Sequence, residues 1–360
     1  MHDTGVKRYR HLNFFQHECI LEVRVPRVRL PDGSVRQVEP PFAGKLTGFT
    51  LLFEALILAF CREMPFRAVA RLTGVSLHRV MSLCERYVDL VVARQDLSEV
   101  RELAIDETSK ARGHDYVTIA ADASRRAVIA VTGERDARAV ERLAQEIQAH
   151  GGDPLAITSV SIDMSPAFIK GVASYLPNAQ VTFDKFHVIA HASHALDLTR
   201  RAEQKRDPAL KGMRWTLLKD SRRLNATARA DLDSLIGEIT TKCTARVWMY
   251  REQLREIRNR KQVNVVRARL QQWCTNVARS QVEPMKAVAR LVRAHLEGII
   301  AWAQTRATNG FIEALNGPFQ AAKRKARGYG RFSTIRTVIY LIAGKLNLSK
   351  INPHMAAQPT

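Results

Sequence analysis

Apolar and charged positions partly alternate from Cys19 to Val25, and Arg27-Val28-Arg29-Leu30 and Val35-Arg36-Gln37-Val38 flank a Pro31-Asp32-Gly33-Ser34 turn. Alternation around turn residues predicts a hairpin. From residue 47 to 95 the pattern turns helical. Met64 to Leu72 gives a short helix, Gly74-Val75-Ser76 a turn, and Leu77 to Val91 a second helix with Ser76 as its N-cap. Two helices joined this tightly, with glycine in the turn, have helix-turn-helix spacing. An αα-hairpin used only for packing has the same pattern.

Residues 100–198 alternate strands with helices. Leu103-Ala104-Ile105 runs into Asp106, an apolar run that predicts a buried strand delivering a carboxylate to its end. Tyr116–Ala121 and Ala127–Thr132 form a hairpin around Asp122-Ala123-Ser124-Arg125. Asp136–His150 is an amphipathic helix, Ile157–Ile162 a strand ending in Asp163, and Ser165 or Pro166 opens a helix to Tyr175. Gln180–Phe183 is a last strand before Asp184, with helix from Phe186 onward. A three-strand meander followed by parallel strands with helical crossovers makes a mixed sheet of five strands with helices on its faces. Residues 200–305 lose the strands and are helical and basic. From Arg251 to Arg269 the run holds Arg251, Arg255, Arg258, Arg260, Lys261, Arg267 and Arg269, read either as a solvated face or as a track for phosphates. Trp215, Trp248, Trp273 and Trp302 are spread through the block as packing anchors, one of which could stack on an unpaired base. The tail from Asn352 is expected to be loose.

Composition narrows the function. Fifty-six Lys and Arg against 35 Asp and Glu give a formal charge of +21 over 360 residues. Such an excess points to a polyanion, nucleic acid first. A membrane is the rival polyanion, but no apolar run approaches the roughly 18 residues a span needs. Phe49–Cys61 is too short and is broken by Glu54. The polar, basic start has no signal core, so a cytoplasmic protein is expected. Five scattered cysteines without C-x-x-C spacing read as reduced, buried small hydrophobes. The exposed start of the second helix of the helix-turn-helix offers His78 and Arg79 to base edges, and the arginine-rich ribbon either packs on its neighbour or touches DNA.

In so basic a chain, a carboxylate at the end of a core strand calls for a cation. If the strands before Asp106 and Asp163 are parallel neighbours, both acids sit at the same sheet edge, where α/β sheets bind ligands. Glu313 is the third candidate. Thr308 or Asn309 can cap its helix, on which Asn309, Glu313, Asn316 and Gln320 share one face and Ile312, Leu315 and Phe319 the other. From Ala314 to Lys350 there is no Asp or Glu, so Glu313 heads a long basic stretch. Two Mg²⁺ (or Mn²⁺) ions about 3.5–4 Å apart can clamp a phosphodiester, and hard oxygen ligands such as these three carboxylates suit them. Pro318 is expected to kink the helix just past Glu313. His187, His191 and His194 have helical spacing without the pattern of a zinc site. Asp184 and His187 are accessory candidates beside the metals, as is Asn309.

Ile105-Asp106-Glu107, Ser161-Ile162-Asp163-Met164-Ser165, Phe183-Asp184-Lys185-Phe186-His187, Asn309-Gly310-Phe311-Ile312-Glu313 and Lys323-Arg324-Lys325-Ala326-Arg327-Gly328-Tyr329, with the Tyr116–Asp122 strand, carry a resemblance. In this order they resemble the D-D-E transposases of bacterial insertion sequences, ISL-three type, from about His11 to Lys350. The resemblance implies a ribonuclease H-like core with Asp106, Asp163 and Glu313 as metal-binding triad, and a helical insertion between the second Asp and the Glu. The 150 residues separating Asp163 from Glu313 leave room for it. It further implies DNA contacts by Lys323, Arg324, Lys325 and Arg327, two divalent ions per site, double-stranded DNA partners (element ends and target) and a homo-oligomer pairing two ends at the nucleoid, with no membrane and no small-molecule substrate. The expected layout is a β-ribbon region over 1–46, the helix-turn-helix over 47–98, the core over 99–200, the insertion over 201–305, the final helix and basic tail over 306–350, and a loose end over 351–360. Such transposases often begin with a zinc ribbon, whereas the hairpin near Leu30 and Gly33 lacks metal ligands. Two rivals stay open: a DNA-binding protein without catalysis, and a ribonuclease H-like nuclease that cuts without joining.

Overall fold

The computed structural model describes residues 3–111, 115–238, 242–305 and 310–355; the side chains of Lys110, Ala111, Asp115, Lys185, Gln304, Thr305, Phe311, Glu313 and Asn316 lie outside that description. The strands and helices are β1 (Asp3–Arg10), β2 (Ile20–Arg29), β3 (Val35–Gln37), α1 (Leu51–Glu63), α2 (Phe66–Thr73), α3 (Leu77–Val92), β4 (Glu102–Ala111), β5 (Asp115–Asp122), β6 (Ala127–Thr132) and α4 (Asp136–Ala149). There follow β7 (Ser159–Ile162), α5 (Pro166–Tyr175), β8 (Gln180–Phe183), α6 (Lys185–Glu203), α7 (Arg214–Leu218), α8 (Ala226–Gly237), α9 (Cys243–Asn259), α10 (Val263–Ala278), α11 (Glu283–Ala294), α12 (Leu296–Thr305), α13 (Gly310–Ala326) and α14 (Phe332–Ala343). β1–β3 form a small antiparallel sheet, and a mixed sheet has the order β6-β5-β4-β7-β8. The architecture is α/β, consistent with a ribonuclease H-like fold. No helix among the described residues is long and apolar enough to cross a membrane.

The chain forms two compact units, each discontinuous in sequence. One gathers residues 1–100, 107–154 and 310–360; the other gathers 101–106 and 155–309. In the first unit the hairpin predicted at Pro31–Ser34 closes β2 on β3 in the register Arg29↔Val35. Asp32 Oδ1 accepts from Ser34 N, and Gly33 takes the left-handed φ of 81° that the turn requires. β1 adds a third strand along β2. Its backbone ties the sheet to the helices: Arg10 N donates to Gly48 O and Thr50 N to Arg10 O. Thr50 then caps α1 by accepting from Phe53 N.

The helix-turn-helix is not a tethered module. Phe53, Ile57, Val80 and Leu83 lie in one apolar cluster with Val117 and Ile119 of β5 and with Ile335 and Ile339 of α14. Glu54 interrupts α1's apolar pattern and is fully buried. Its carboxylate accepts from Lys45 N, Leu46 N and Tyr87 Oη, which compensates the burial of a polar group. A Cβ on Gly44 would lie 2.4 Å from this carboxylate, so glycine is required there. The end expected to be loose is instead packed as far as Met355. Asn352 is fully buried and donates to Leu51 O and Tyr87 Oη. Ile351 and Met355, both buried, add apolar contact to these hydrogen bonds and hold the end in place.

In the second unit β4 and β7 run parallel, as do β7 and β8, with β8 covered by α12. α6, α9, α10 and α11 pack on one another as the helical block. The basic run from Arg251 is not one solvated face. Val247, Arg251, Leu254 and Arg258 recur at helical spacing and all are buried in α9. Arg258 donates to Ile299 O and Phe183 O, and its guanidinium lies 5.0 Å from the Trp302 ring centroid. Arg255, Arg260 and Arg267 pair with Glu252, Glu256 and Glu297. Of the seven, Lys261 and Arg269 are exposed without a role in this packing.

Candidate active site

Asp106 does not stand at the end of its strand. β4 runs on to Ala111, because Thr108 is buried and takes a hydrogen bond from Gln320 where the sequence looks polar enough for a loop. The pairing with β7 does stop here. Its register runs Glu102↔Ser159, Leu103↔Val160 and Ala104↔Ser161, two residues before Asp106 on β4 and two before Asp163, which directly follows β7. Leu103, Ala104 and Ile105 are each 1% exposed, so the core fixes the approach to Asp106, which is half-buried. Asp163 Oδ1 accepts from Ser165 N in the turn that leads to Pro166, the first residue of α5. That bond orients the second carboxylate. Carboxylate oxygens are the donors Mg²⁺ takes.

Asp184 follows β8, is fully buried and caps α6 by accepting from Phe186 N at 2.7 Å. Arg258 lies in its electrostatic range, and burial pushes that guanidinium down to about 10 while Asp184 opposes the shift. His187 is half-buried, with Nε2 shielded from solvent and without a hydrogen-bond partner. Burial lowers the pKa of His191, His187 and His194 lower it further, and Asp163 acts against them. Among the described residues no group of three His, Cys, Asp or Glu forms a metal cluster.

Glu313 belongs to the first unit, on α13; its side chain lies outside the described residues, as do Thr308, Asn309 and the Asn316 side chain. The helix around it is defined. Ile312 and Phe319 are buried on one side. On the other, Gln320 Nε2 donates to Thr108 Oγ1 and Ser109 O, both at 3.1 Å. Seven residues are two helical turns, so position 313 shares the helix face of Gln320. Pro318 does not break the helix, which continues to Ala326.

The helix-turn-helix is built as the sequence predicts. Gly74 ends α2 at φ 68°, and Ser76 caps α3 by accepting from Arg79 N. His78 is exposed. Arg79 is engaged: its guanidinium donates to Thr47 O and sits 3.9 Å from the Phe49 ring centroid. Residues 103–339 match the ISL3 family of transposases, and residues 38–88 match the helix-turn-helix domain of the same family. The chain belongs to the ISL3 transposase family. It is 26% identical over 340 residues to the transposase for insertion sequence element IS1001 of Bordetella parapertussis, covering 91% of this chain and 82% of that one. It is likewise 26% identical over 364 residues to the transposase for insertion sequence element IS1557 of Mycobacterium tuberculosis, covering 91% and 79%.

The basic residues of this transposase divide by environment. Lys323 donates to Ser109 O at 2.7 Å, and burial lowers its pKa; it seats α13 on β4. Arg324, Lys325 and Arg327 are exposed. Sequence reasoning missed Glu54 and Arg258 as organisers of their units. A lone acid inside an apolar helix was the available signal for the first, and arginines at core spacing for the second.

Proposed function

We propose that this insertion-sequence transposase cleaves the ends of its element and joins them to target DNA through Asp106, Asp163 and Glu313. The observation that carries the reading is the parallel pairing of β4 with β7, the two strands that lead into Asp106 and Asp163. Both are hard oxygen donors of the kind Mg²⁺ takes. Glu313, on the helix seated against β4 by Gln320 and Lys323, supplies the third carboxylate in this proposal.

Two Mg²⁺ or Mn²⁺ ions held by these residues would activate water and neutralise charge developing on the phosphate. The protein's own share is positioning. The apolar strand fixes Asp106, the Ser165 amide fixes Asp163, and Asp184 with Arg258 fixes the end of β8. Arg324, Lys325 and Arg327 bind the DNA backbone, and His78 reaches the bases. Hydrolysis frees a 3′-hydroxyl at the element end, and transesterification transfers that end to the target strand. Pairing two ends calls for a homo-oligomer, working on DNA at the nucleoid.

The test uses a labelled duplex carrying the terminal repeats that flank the gene. Nicking that needs Mg²⁺ and stops with EDTA is expected, followed by transfer of the label to a plasmid. Stable binding without any nick in Mg²⁺ contradicts catalysis. Nicking without transfer makes the protein a nuclease.

A further inference from the structure

The loop after α13 lies against the helix-turn-helix. A cleft of about 440 Å³ has α2 and the first turns of α3 on one side and residues 326–331 on the other. Its floor is apolar, formed by Phe66, Leu77, Met81 and the half-buried Tyr329. Its rim holds Arg67, His78, Arg327 and Arg331, all exposed, and no lining residue is acidic. The loop is fixed in place: Gly328 N donates to Lys323 O and Arg327 N to Arg324 O, closing the end of α13. Arg327 occupies the left-handed position there, at φ 60°, where glycine is the ordinary choice. Holding an arginine in that region costs on the order of 1 kcal/mol. It buys a cation aimed from a rigid corner.

We propose that this cleft takes the sugar–phosphate backbone of the duplex whose groove α3 enters, with Arg67, Arg327 and Arg331 as its phosphate contacts. The inference rests on the DNA-binding reading of the helix-turn-helix and deepens it. A recognition helix reads bases only when flanking groups hold the backbone in register. Arg79, the nearest cation on α3, is committed to Thr47 and Phe49, so that work falls to the rim. Because Phe319 and Tyr329 pack in the same apolar cluster as Val80 and Leu83, the helix bearing Glu313 and the reading helix belong to one solid body. The loop therefore makes end recognition and the final helix of the core a single DNA-binding surface.

The test is the salt dependence of binding. A fluorescein-labelled duplex of mixed sequence, several helical turns long, is titrated in EDTA at a series of salt concentrations. The variant combines Arg67→Gln, Arg327→Asn and Arg331→Gln; asparagine tolerates the left-handed φ. Each lost phosphate contact lowers the log–log salt slope by about 0.9, so the slope should become shallower by about 2.7. A control removes the same charge from the other unit through Lys261→Gln, Arg269→Gln and Arg279→Gln, and its slope should change by less than one contact's worth. An unchanged slope in the cleft variant, or an equal fall in the control, overturns the proposal. If the wild type itself shows no salt-dependent binding, the DNA reading falls and not merely the cleft.

Discussion

Replacing Arg258 with methionine tests what holds the second unit together. The side chain is 2% exposed, donates to Ile299 O at 2.5 Å and Phe183 O at 3.3 Å, and stacks on Trp302. Hydrogen bonds from a charged donor contribute about 1.5–3 kcal/mol each, and a desolvated cation over an aromatic ring adds up to about 2 kcal/mol. Against these stands the desolvation of a guanidinium, several kcal/mol, which methionine recovers. Methionine also takes the donor from two buried carbonyls and the cation whose field reaches Asp184, and removing one member of such a set costs about 3–5 kcal/mol. The net expectation is a loss of about 3–5 kcal/mol, with Arg258→Lys in between because an ammonium cannot reach both carbonyls in one plane. All four tryptophans lie in the second unit, so urea unfolding followed by tryptophan fluorescence reports that unit selectively. With a slope of about 1–3 kcal/mol per molar urea, the midpoint should drop by about 1 M or more. A loss under about 1 kcal/mol would refute the reasoning, because it would mean the buried charge is compensated by contacts other than these.

Three further outcomes follow from the packing. Gly298→Ala puts a Cβ 2.5 Å from Phe183 Cε2 and 3.3 Å from Val181 O, and overpacking of this kind costs about 1–3 kcal/mol in the same fluorescence assay. Trp215, 62% exposed, should be replaceable by alanine within about 0.5 kcal/mol, so a larger loss would show that it is a packing anchor after all. Burial raises the Glu54 pKa more than its three donors lower it, so the folded state binds the proton more tightly than the unfolded one. That contribution to stability is present at low pH and is lost as pH rises from the ordinary glutamate range through the raised value. The stability difference between wild type and Glu54→Gln should therefore narrow as pH rises through that window; widening contradicts the assignment.

Much of this was legible in the residues because local pattern and final environment agree. The turn at Pro31–Ser34, the Gly74–Ser76 joint and the strands before Asp163 and Asp184 each carry turn chemistry or apolar runs that the fold keeps. The failures come from tertiary partners. β4 continues past Asp106 because Gln320, more than two hundred residues away, satisfies Thr108 and Ser109. Arg251 and Arg258 looked like solvated charge or a phosphate track, but they fall on α9's buried stripe, where the Glu252 carboxylate takes the first and two carbonyls and a ring take the second. Asn352 looked like the start of a frayed end until Leu51 and Tyr87 supplied its acceptors. Arg79 looked available for bases, but Thr47 and Phe49 hold it. Apart from Glu252, the sequence offers no local sign of any of these partners.

In the proposed mechanism three carboxylates of this transposase carry the chemistry. Strand cleavage of an end-bearing duplex in Mg²⁺ should be measured beside DNA affinity for Asp106→Asn, Asp163→Asn and Glu313→Gln. Each change removes a negative oxygen while nearly keeping the side-chain shape. Cleavage should fall to background in all three while affinity stays close to wild type. Wild-type cleavage in any one of them would remove that residue from the site, and in Asp106→Asn it would contradict the account at its root.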